Sequence, residues 1–307
     1  MLRCAVSTIA FVIASVLTPS LAEEQSRREQ ISAAFGSPRI EVYKTIGDVQ
    51  LDVFIVEPEG HQAGDRRPAI VFFFGGGWRS GTPAQFAEHC KYLASRGMVA
   101  MAADYRVRSR HGTKAESCVS DAKSAVRWIR ANADRLGIDA NRIVAAGGSA
   151  GGHIAACTGV IEGFDEAGED TSISSVPNAM VLFNPVLVLA PVPSLQLNKR
   201  RAASLPDRMG VEPVKLSPYH HIKADIVPCI IFHGTADRTV PFATIDRFTQ
   251  TMTDAGNNCT LHRYERQGHG FFNFSRGTGE MYRATVKAMD EFLADLGYLE
   301  GSPTIDE

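Results

Sequence analysis

The stretch AAGGSAGGH, residues 145–153, places one serine, Ser149, among four glycines, and an apolar run at residues 143–146 leads directly into it. A phosphate-binding P-loop requires a lysine after its last glycine, and none follows here. A dinucleotide-binding GxGxxG motif also fails, because Ser149 stands where its second glycine would be. The pattern that remains is Gly-x-Ser-x-Gly between a strand and a helix. This pattern is typical of a nucleophile elbow, a strained turn that exposes the serine hydroxyl.

Strand and helix patterns alternate along most of the chain. Apolar and polar residues alternate through residues 40–56 around Gly47-Asp48, which predicts an antiparallel hairpin. Six apolar runs predict further strands, most of them buried on both faces: residues 69–74, 98–103, 142–146, 180–183, 229–232 and 260–264. Amphipathic helices separate most of these runs. The sequence therefore predicts an α/β fold: a mostly parallel central sheet with an antiparallel N-terminal hairpin and helices on both faces.

Three segments stand out from this alternation. Residues 23–38 are polar and helix-permissive, and they predict an N-terminal arm. The rest, residues 39–300, predicts a single domain interrupted by an irregular insertion at about 188–226, of a length typical of a lid or pocket wall. A helix is also predicted to begin at Thr82-Pro83, with threonine as the N-cap and Gln85 completing a capping box.

The first 22 residues have the pattern of a secretory signal peptide. Arg3 supplies a positive start, residues 5–17 form a short apolar run, and residues 20–22 form a small-x-small cleavage site. We therefore expect a secreted or periplasmic protein. The run is too short for a comfortable membrane span, so stable insertion is not expected, and an uncleaved anchor is the alternative.

Charge and cysteine content exclude several classes of partner. The formal net charge is −2, so no global field attracts nucleic acid. The six cysteines include Cys4 in the leader, and the odd number that remains leaves at least one thiol free. Cys90 with Cys118, or Cys229 with Cys259, could form disulfides, and the sequence does not decide between these pairings. No spacing indicates a metal site, and the oligomeric state is not predicted.

GxSxG arises by chance in about one chain of this length in ten, so the motif alone is weak evidence for a nucleophile. A partner base in the right place would strengthen that evidence. The base should lie where loops leave the carboxyl ends of parallel strands. Two histidines come late enough in the chain, His262 and His269. His262 lies within a predicted strand, whereas His269 follows that strand with glycine on both sides. We therefore predict His269 as the general base.

The acid should follow the preceding strand. Asp237 lies in the loop after residues 229–232 and satisfies that condition. Asp225 precedes the strand, at the wrong end of the sheet, and Asp246 and Asp254 fall on the following helix. Asp237 is predicted to hold His269 in the tautomer that accepts the serine proton.

A tetrahedral intermediate also needs donors for its oxyanion. Gly75-Gly76-Gly77 follows the first buried strand, and glycines leave backbone N–H groups approachable. The N–H groups of Gly76 and Gly77, together with that of Ala150 after the nucleophile, are the predicted oxyanion hole. Three glycines in a row exceed what a tight turn alone requires.

These motifs together resemble one branch of a known superfamily. The matching pieces are FGGGW (74–78), DYR (104–106), GGSAGGH (147–153), HGTAD (233–237) and GHGF (268–271). They resemble α/β-hydrolases of the hormone-sensitive-lipase-like type, and most closely bacterial carbohydrate esterases of the acetyl-xylan and feruloyl esterase type.

The resemblance implies an α/β-hydrolase fold and a serine esterase with Ser149, Asp237 and His269 as its triad. It implies no cofactor, and a small-molecule or polysaccharide-linked ester as substrate. One position departs from the family pattern, because Phe74 occupies the place of a histidine that braces the oxyanion loop. The support of that loop must therefore differ here.

Two residues are weaker candidates for substrate contacts. Trp78 could stack on a sugar or an aryl acid, or only wall the cleft, and His220 could line a pocket or belong to the surface of the insertion. Two rival functions are a serine peptidase of the prolyl-oligopeptidase type and a catalytically inactive binding module. No room exists for the propeller domain that usually accompanies such peptidases, and the complete triad argues against an inactive module.

Overall fold

The computed structural model describes residues 21–193, 195 and 199–305, so the predicted signal peptide lies outside the described residues except for its last two positions. An eight-stranded sheet forms the centre of this part of the chain, in the order β1-β2-β4-β3-β5-β6-β7-β8. The strands are β1 (Arg39–Ile46), β2 (Val49–Val56), β3 (Arg67–Phe73), β4 (Val99–Ala103), β5 (Ile138–Gly148), β6 (Ala179–Phe183), β7 (Cys229–Gly234) and β8 (Cys259–Tyr264).

The sheet is mostly parallel. Strands β1 and β2 form the predicted antiparallel hairpin, β2 pairs antiparallel with β4, and all remaining neighbours are parallel. The central parallel strands β3, β4, β6 and β7 are buried on both faces, which accounts for their largely apolar sequences, whereas the edge strand β8 is only partly buried. The predicted α/β fold with a mostly parallel sheet is confirmed.

Helices cover both faces of the sheet. They are α1 (Leu21–Phe35), α2 (Ala87–Ser95), α3 (Arg108–His111), α4 (Ala115–Ala131), α5 (Ala150–Val160), α6 (Lys199–Met209), α7 (Phe242–Asp254) and α8 (Glu280–Asp295). Side chains alternate along each strand, so Phe72 lies in one core with side chains of α1, α2 and α8, whereas Phe73 lies in a second core with side chains of α4, α5 and α7. Because β5 and α5 are consecutive, the turn between them emerges at the carboxyl edge of the sheet.

The predicted arm is a helix that packs on the domain. Ile31 and Phe35 of α1 are buried, and the Phe35 ring stacks on Phe54 of β2 at 5.5 Å. Arg27 of α1 donates to the buried carboxylate of Asp104 at 2.9 Å. Among the described residues, no helix combines the length and the apolar character needed to cross a bilayer.

The predicted capping box at the start of the helix after β3 is wrong. Thr82 is extended and makes no side-chain cap, and a single 3₁₀ turn, Pro83–Phe86, precedes α2. Gln85 instead turns toward the loops at the edge of the sheet, where it accepts from the N–H of Gly75 and donates to Asn273. The Gln85 side chain therefore bonds to residues outside the helix instead of forming the predicted cap.

The described cysteines are free thiols. Cys90 and Cys118 belong to the two cores on opposite faces of the sheet, so the sheet itself prevents that pairing. Cys229 and Cys259 are register partners on β7 and β8, and their sulfurs lie 3.1 Å apart as a thiol–thiol contact rather than a bond.

The segment predicted as an insertion contains α6 and two 3₁₀ turns, Pro213–Leu216 and Pro218–His221. Leu205 and Met209 of α6 are buried in the core that contains α4 and α5, which fixes this helix beside the carboxyl edge of the sheet. From α6, Arg208 reaches the loop after β3, where its Nη2 donates to the carbonyl of Gly77.

Candidate active site

Ser149 occupies a strained turn between β5 and α5. Its φ of 54° and ψ of −114° lie in a region that residues other than glycine rarely adopt. The turn is held from below because the N–H of Ser149 donates to the carbonyl of Phe183 at 2.8 Å. The strain and the bond together project the hydroxyl away from the sheet.

The glycines around Ser149 are required by close backbone approach. A methyl group on Gly151 would lie 1.9 Å from the carbonyl oxygen of Phe73, at the end of β3. A methyl group on Gly147 would lie 2.5 Å from the carbonyl carbon of Gly151. The first turn of α5 thus passes directly over the ends of β3 and β5, and no side chain fits between them.

The structure brings the three predicted side chains together. Nε2 of His269 lies 2.9 Å from Oγ of Ser149, and its Nδ1 lies 2.7 Å from Oδ2 of Asp237. His269 follows β8 and Asp237 follows β7, so adjacent parallel strands deliver acid and base to the same edge. The rejected candidate, His262, remains within β8, where its ring packs on Phe232.

The hydrogen bonds around Asp237 favour its ionised form. Its Oδ1 accepts from the N–H groups of Thr239 and Val240 at 2.7 and 2.8 Å, and its Oδ2 accepts from His269. Burial on its own would raise the pKa of this carboxyl, but these hydrogen bonds hold the pKa below its ordinary value. A carboxylate of this kind orients the imidazole and stabilises its protonated form.

Asn184 is a site residue that sequence reasoning missed. It follows β6 with a φ of 41° and is fully buried. Its Nδ2 donates to Oδ2 of Asp237 at 3.2 Å, and its Oδ1 accepts from the N–H of Gly270 at 3.1 Å. Asn184 therefore ties the loop of the acid to the loop of the base. The available signal was a polar residue directly after a buried strand.

The glycine loop after β3 lines the same cleft as Ser149. The carbonyl of Gly76 accepts from the N–H groups of Arg79 and Ser80, so the N–H of Gly77, in the same peptide plane, points the opposite way. Within the described residues, no acceptor pairs with the N–H of Gly76 or Gly77. The N–H of Ala150 begins α5 and has no intrahelical partner.

The loop has its own support in place of the family's histidine. The Phe74 ring stacks on Tyr105 with 4.1 Å between the ring centroids, and the Tyr105 hydroxyl donates to the carbonyl of Phe74 at 2.7 Å. The amide of Gln85 adds a second brace, since its Oε1 accepts from the N–H of Gly75 at 2.6 Å. The departure at Phe74 is thus compensated by an aromatic pair and a glutamine.

Gln85 also connects the glycine loop to the histidine loop. Its Nε2 donates to Oδ1 of Asn273 at 2.8 Å, and Nδ2 of Asn273 donates to the carbonyl of Gly270 at 2.7 Å. Gly270 is held on its other side by Asn184. A continuous set of amide hydrogen bonds therefore spans the glycine loop, the base and the acid.

Ser149 and His269 open into a cleft of about 730 Å³. Trp78 lines this cleft but does not offer a stacking platform. The indole is buried, its N–H donates to Nδ1 of His153 at 3.1 Å, and the guanidinium of Arg208 lies 4.9 Å from the ring centroid. Of the two readings of Trp78 from the sequence, the wall of the cleft is the one that fits.

His220 is not among the described residues that line the cleft, so its prediction as a substrate contact is corrected. Its two ring nitrogens bond to Ser217 Oγ at 2.8 Å and to the carbonyl of Pro191 at 3.1 Å. Both partners belong to the insertion, so His220 joins two parts of that segment. The cleft is lined instead by side chains that the sequence analysis did not select, among them Thr82, Val186, Arg208, Thr239, Phe272, Asn273 and Arg276.

Comparisons with known proteins identify the family of the chain. The BD-FAE family model matches residues 51–252, and the dienelactone hydrolase family model matches residues 210–297. Thermogutta terrifontis esterase 2 phosphonylated by sarin is 51% identical, with a TM-score of 0.86 over 87% of this chain and 98% of that chain. The butyrate-bound structure of the same esterase is also 51% identical, with a TM-score of 0.83 over 87% and 98% of the two chains.

A curated relative gives the same family at greater distance. The probable carboxylic ester hydrolase LipM of Mycobacterium tuberculosis is 31% identical over 243 residues, which are 75% of this chain and 54% of LipM. The chain spans about half the length of the curated relatives it matches. Because the BD-FAE model covers more than half of the sequence, the chain belongs to the BD-FAE family, among the α/β-hydrolase serine esterases of hormone-sensitive-lipase-like type.

Proposed function

We propose that this chain is a carboxylesterase that hydrolyses esters of short carboxylic acids through an acyl-enzyme on Ser149. The observation that carries the proposal is the continuous hydrogen-bonded line from Ser149 Oγ through His269 to Asp237, at 2.9 and 2.7 Å. A nucleophile, a base and an orienting carboxylate in this order are the parts that serine hydrolases require.

In the proposed mechanism, Oγ of Ser149 attacks the ester carbonyl while Nε2 of His269 takes its proton. Asp237 accepts from Nδ1–H of His269, which leaves Nε2 as the acceptor and stabilises the imidazolium. The imidazolium then donates its proton to the leaving alcohol. Water, deprotonated by the same nitrogen, attacks the acyl-enzyme, the bond from the acyl carbon to Oγ breaks, and Oγ regains its proton from His269.

The oxyanion is assigned to the N–H groups of Gly76, Gly77 and Ala150. Support comes from the turn that directs the N–H of Gly77 away from the Arg79 side and from the free first amide of α5. Loss of one such donor typically lowers turnover by about 10²–10³-fold. A rigid loop matters because donors that need no rearrangement stabilise the charge as it forms.

A short acyl group is supported by the similar esterase whose structure holds butyrate, and the bulky side chains of Trp78 and Phe272 line the cleft. For the alcohol we propose a carbohydrate hydroxyl that carries an acetyl or feruloyl group, and this part rests on the motifs alone. A panel of nitrophenyl acetate, butyrate and octanoate, with acetylated xylan and methyl ferulate, tests both parts. Octanoate cleaved as fast as acetate would contradict the short acyl group.

The decisive test of the mechanism is Ser149→Ala. We expect an intact fold by circular dichroism and a loss of about 10⁶-fold in kcat on nitrophenyl acetate. A fluorophosphonate probe should label the wild-type chain at Ser149 and leave the variant unlabelled.

The same experiments separate the two rival functions. A serine peptidase would cleave a prolyl peptide amide at a rate comparable to the ester, whereas we expect ester cleavage alone. An inactive binding module would neither turn over ester nor react with the probe. Either result would contradict the proposed esterase function.

We also propose that the chain is exported after cleavage behind residue 22, on the evidence of the leader composition. Expression of the full chain in a bacterium, followed by cell fractionation and intact mass, tests this. A mass that retains residues 1–22 in the cytoplasmic fraction would refute export.

A further inference from the structure

The charged residues that line the cleft are of one sign. Two arginines, Arg208 and Arg276, contribute to the lining, and no aspartate or glutamate does so among the described residues. Asp237 is not among the lining residues, and its carboxylate accepts hydrogen bonds from His269 and from the N–H of Val240. The chain as a whole carries a formal charge of −2, so the positive cleft is a local feature and not a reflection of a basic protein.

Arg208 places one positive charge beside the glycine loop. It lies near the end of α6, and its Nη2 donates to the carbonyl of Gly77 at 3.1 Å while its guanidinium covers the ring of Trp78. These contacts fix the charge in the cleft instead of leaving it on a mobile side chain. Arg208 therefore marks the side of the cleft on which the oxyanion forms.

Arg276 places the other charge beside the loop of the base. It belongs to the loop that follows His269, and its Nη2 lies 3.9 Å from the position of a methyl group on Gly270. Its guanidinium is exposed and forms no ion pair with any described carboxylate. His269 delivers a proton to the leaving alcohol, and Arg276 lines the same cleft beside the residue that follows His269, so its charge lies on the side where the alcohol leaves.

We propose that the preferred substrates of this esterase carry a carboxylate on their alcohol part, and that Arg276, with Arg208 adding to the field, recognises it. The inference rests on the proposed ester hydrolysis and specifies its substrate class. Arg276 is exposed enough to meet a large alcohol, and guanidinium groups bind carboxylates in a paired geometry that neutral alcohols cannot match. Acyl esters of uronic acids and of hydroxy acids share this chemistry.

The test is a matched pair of acetate esters, 3-acetoxybenzoate and 3-acetoxybenzamide, which differ in charge and little in shape. Each kcat/KM is divided by the rate of hydroxide-catalysed hydrolysis of the same ester, which removes differences in leaving-group reactivity. We expect the wild-type chain to prefer the anion by about five-fold at low salt. We expect 0.5 M NaCl to reduce that preference, because salt screens partly exposed charges.

The variants localise the effect. Arg276→Gln should bring the preference close to one, and Arg208→Gln should lower it by a smaller factor. Arg283→Gln removes the same charge from the exposed face of α8, outside the cleft, and should leave the wild-type preference unchanged. The ratio of the two substrates in one variant cancels any general damage to the active site.

Three outcomes would overturn the inference. A wild-type preference of one or less, a preference that survives in Arg276→Gln, or an equal loss in Arg283→Gln would each do so. If the wild-type chain cleaves the ester bond of 3-acetoxybenzamide as well as that of 3-acetoxybenzoate, the proposed function stands and only the substrate class is refuted. O-acetyl galacturonate and O-acetyl lactate, each compared with its methyl ester, then separate a sugar acid from a hydroxy acid as the source of the carboxylate.

Discussion

Asn184 shows how one residue can support the geometry of a site without touching the substrate. Its carboxamide uses both ends, since Nδ2 donates to Asp237 and Oδ1 accepts from the N–H of Gly270. The two loops that it joins leave different strands, β7 and β8, and carry the acid and the base. The angle between imidazole and carboxylate therefore depends on a side chain from a third strand, β6.

We predict that Asn184→Ala lowers kcat by about 10- to 100-fold on nitrophenyl acetate with little change in KM. The reason is that an imidazole displaced by a fraction of an ångström loses alignment with Ser149 while substrate contacts persist. Steady-state kinetics on the purified variant measure both constants. Asn141→Ala, an exposed position of β5, is the matched control. A variant at Asn184 with wild-type kcat would show that the loops hold their positions unaided.

Two glycines in the loop after β8 look equivalent in the sequence, but they differ in backbone conformation and in the space around them. Gly270 has a φ of +77°, and a methyl group there would lie 3.0 Å from Nδ2 of Asn273. Gly268 is exposed, its φ is not in the left-handed region, and a methyl group there would meet no atom within 4 Å. Of the two glycines that flank His269, the backbone requires only the second.

This difference gives a prediction with an internal control. Gly270→Ala should cost about 1–2 kcal/mol of unfolding free energy, because an L-residue is forced into the left-handed region. It should also lower kcat by disturbing the bonds that Asn184 and Asn273 make to this peptide. Gly268→Ala, two residues away, should change neither. Urea unfolding and nitrophenyl acetate kinetics compare the pair, and equal effects at both positions would contradict the assignment.

At the scale of elements, the strands and the catalytic order were predictable from the sequence. The central parallel strands β3, β4, β6 and β7 are buried on both faces, so each appears in the sequence as a continuous apolar run. Boundaries were less certain: β5 begins at Ile138, four residues before the predicted start, because its polar first half pairs at the margin of the sheet, where Arg67 faces Ile138. Ser149, Asp237 and His269 were found because each follows a strand.

The supports of the site could not be predicted, because their partners are distant in sequence. Gln85 and Asn273 are separated by 188 residues, and Asn184 and Gly270 by 86. A local rule assigned Gln85 to a capping box, and the tertiary partners of its amide replaced that role. Arg208 belongs to a segment in which the sequence predicted no element, whereas the structure has α6 there with Leu205 and Met209 on its buried face.

At the scale of the whole molecule, the two cores that the sheet separates each enclose a neutral histidine. His153 lies in the core with α4 and α5, accepts from Trp78 at Nδ1 and therefore donates from Nε2 to the carbonyl of Leu216. Burial lowers its pKa to about 4. His89 lies in the other core, and burial lowers its pKa to about 3.

His89 is the more unusual of the two. Its ring is fully buried among Phe72, Phe86, Phe183 and Tyr282, and neither ring nitrogen has a hydrogen-bond partner among the residues that the structure describes. A buried polar group without a partner costs about 1–3 kcal/mol of stability. The residue therefore lowers stability at every pH, and more so where the unfolded chain can protonate it.

We predict that His89→Leu stabilises the fold, and that the gain grows as the pH falls. A histidine of the unfolded chain binds a proton below pH 6.5, whereas His89 in the fold does not until about pH 3, so stability is lost on acidification across that window. Urea unfolding at pH 7.5, 6.0 and 5.0 should give a gap between variant and wild type that widens below pH 6.5 by about 1.4 kcal/mol per pH unit. Comparison at the same pH cancels the other groups, including Asp52, whose pKa burial raises to about 6. A gap that stays constant from pH 7.5 to 5.0 would mean that His89 takes up its proton inside the fold, and the closed aromatic enclosure described here would be wrong.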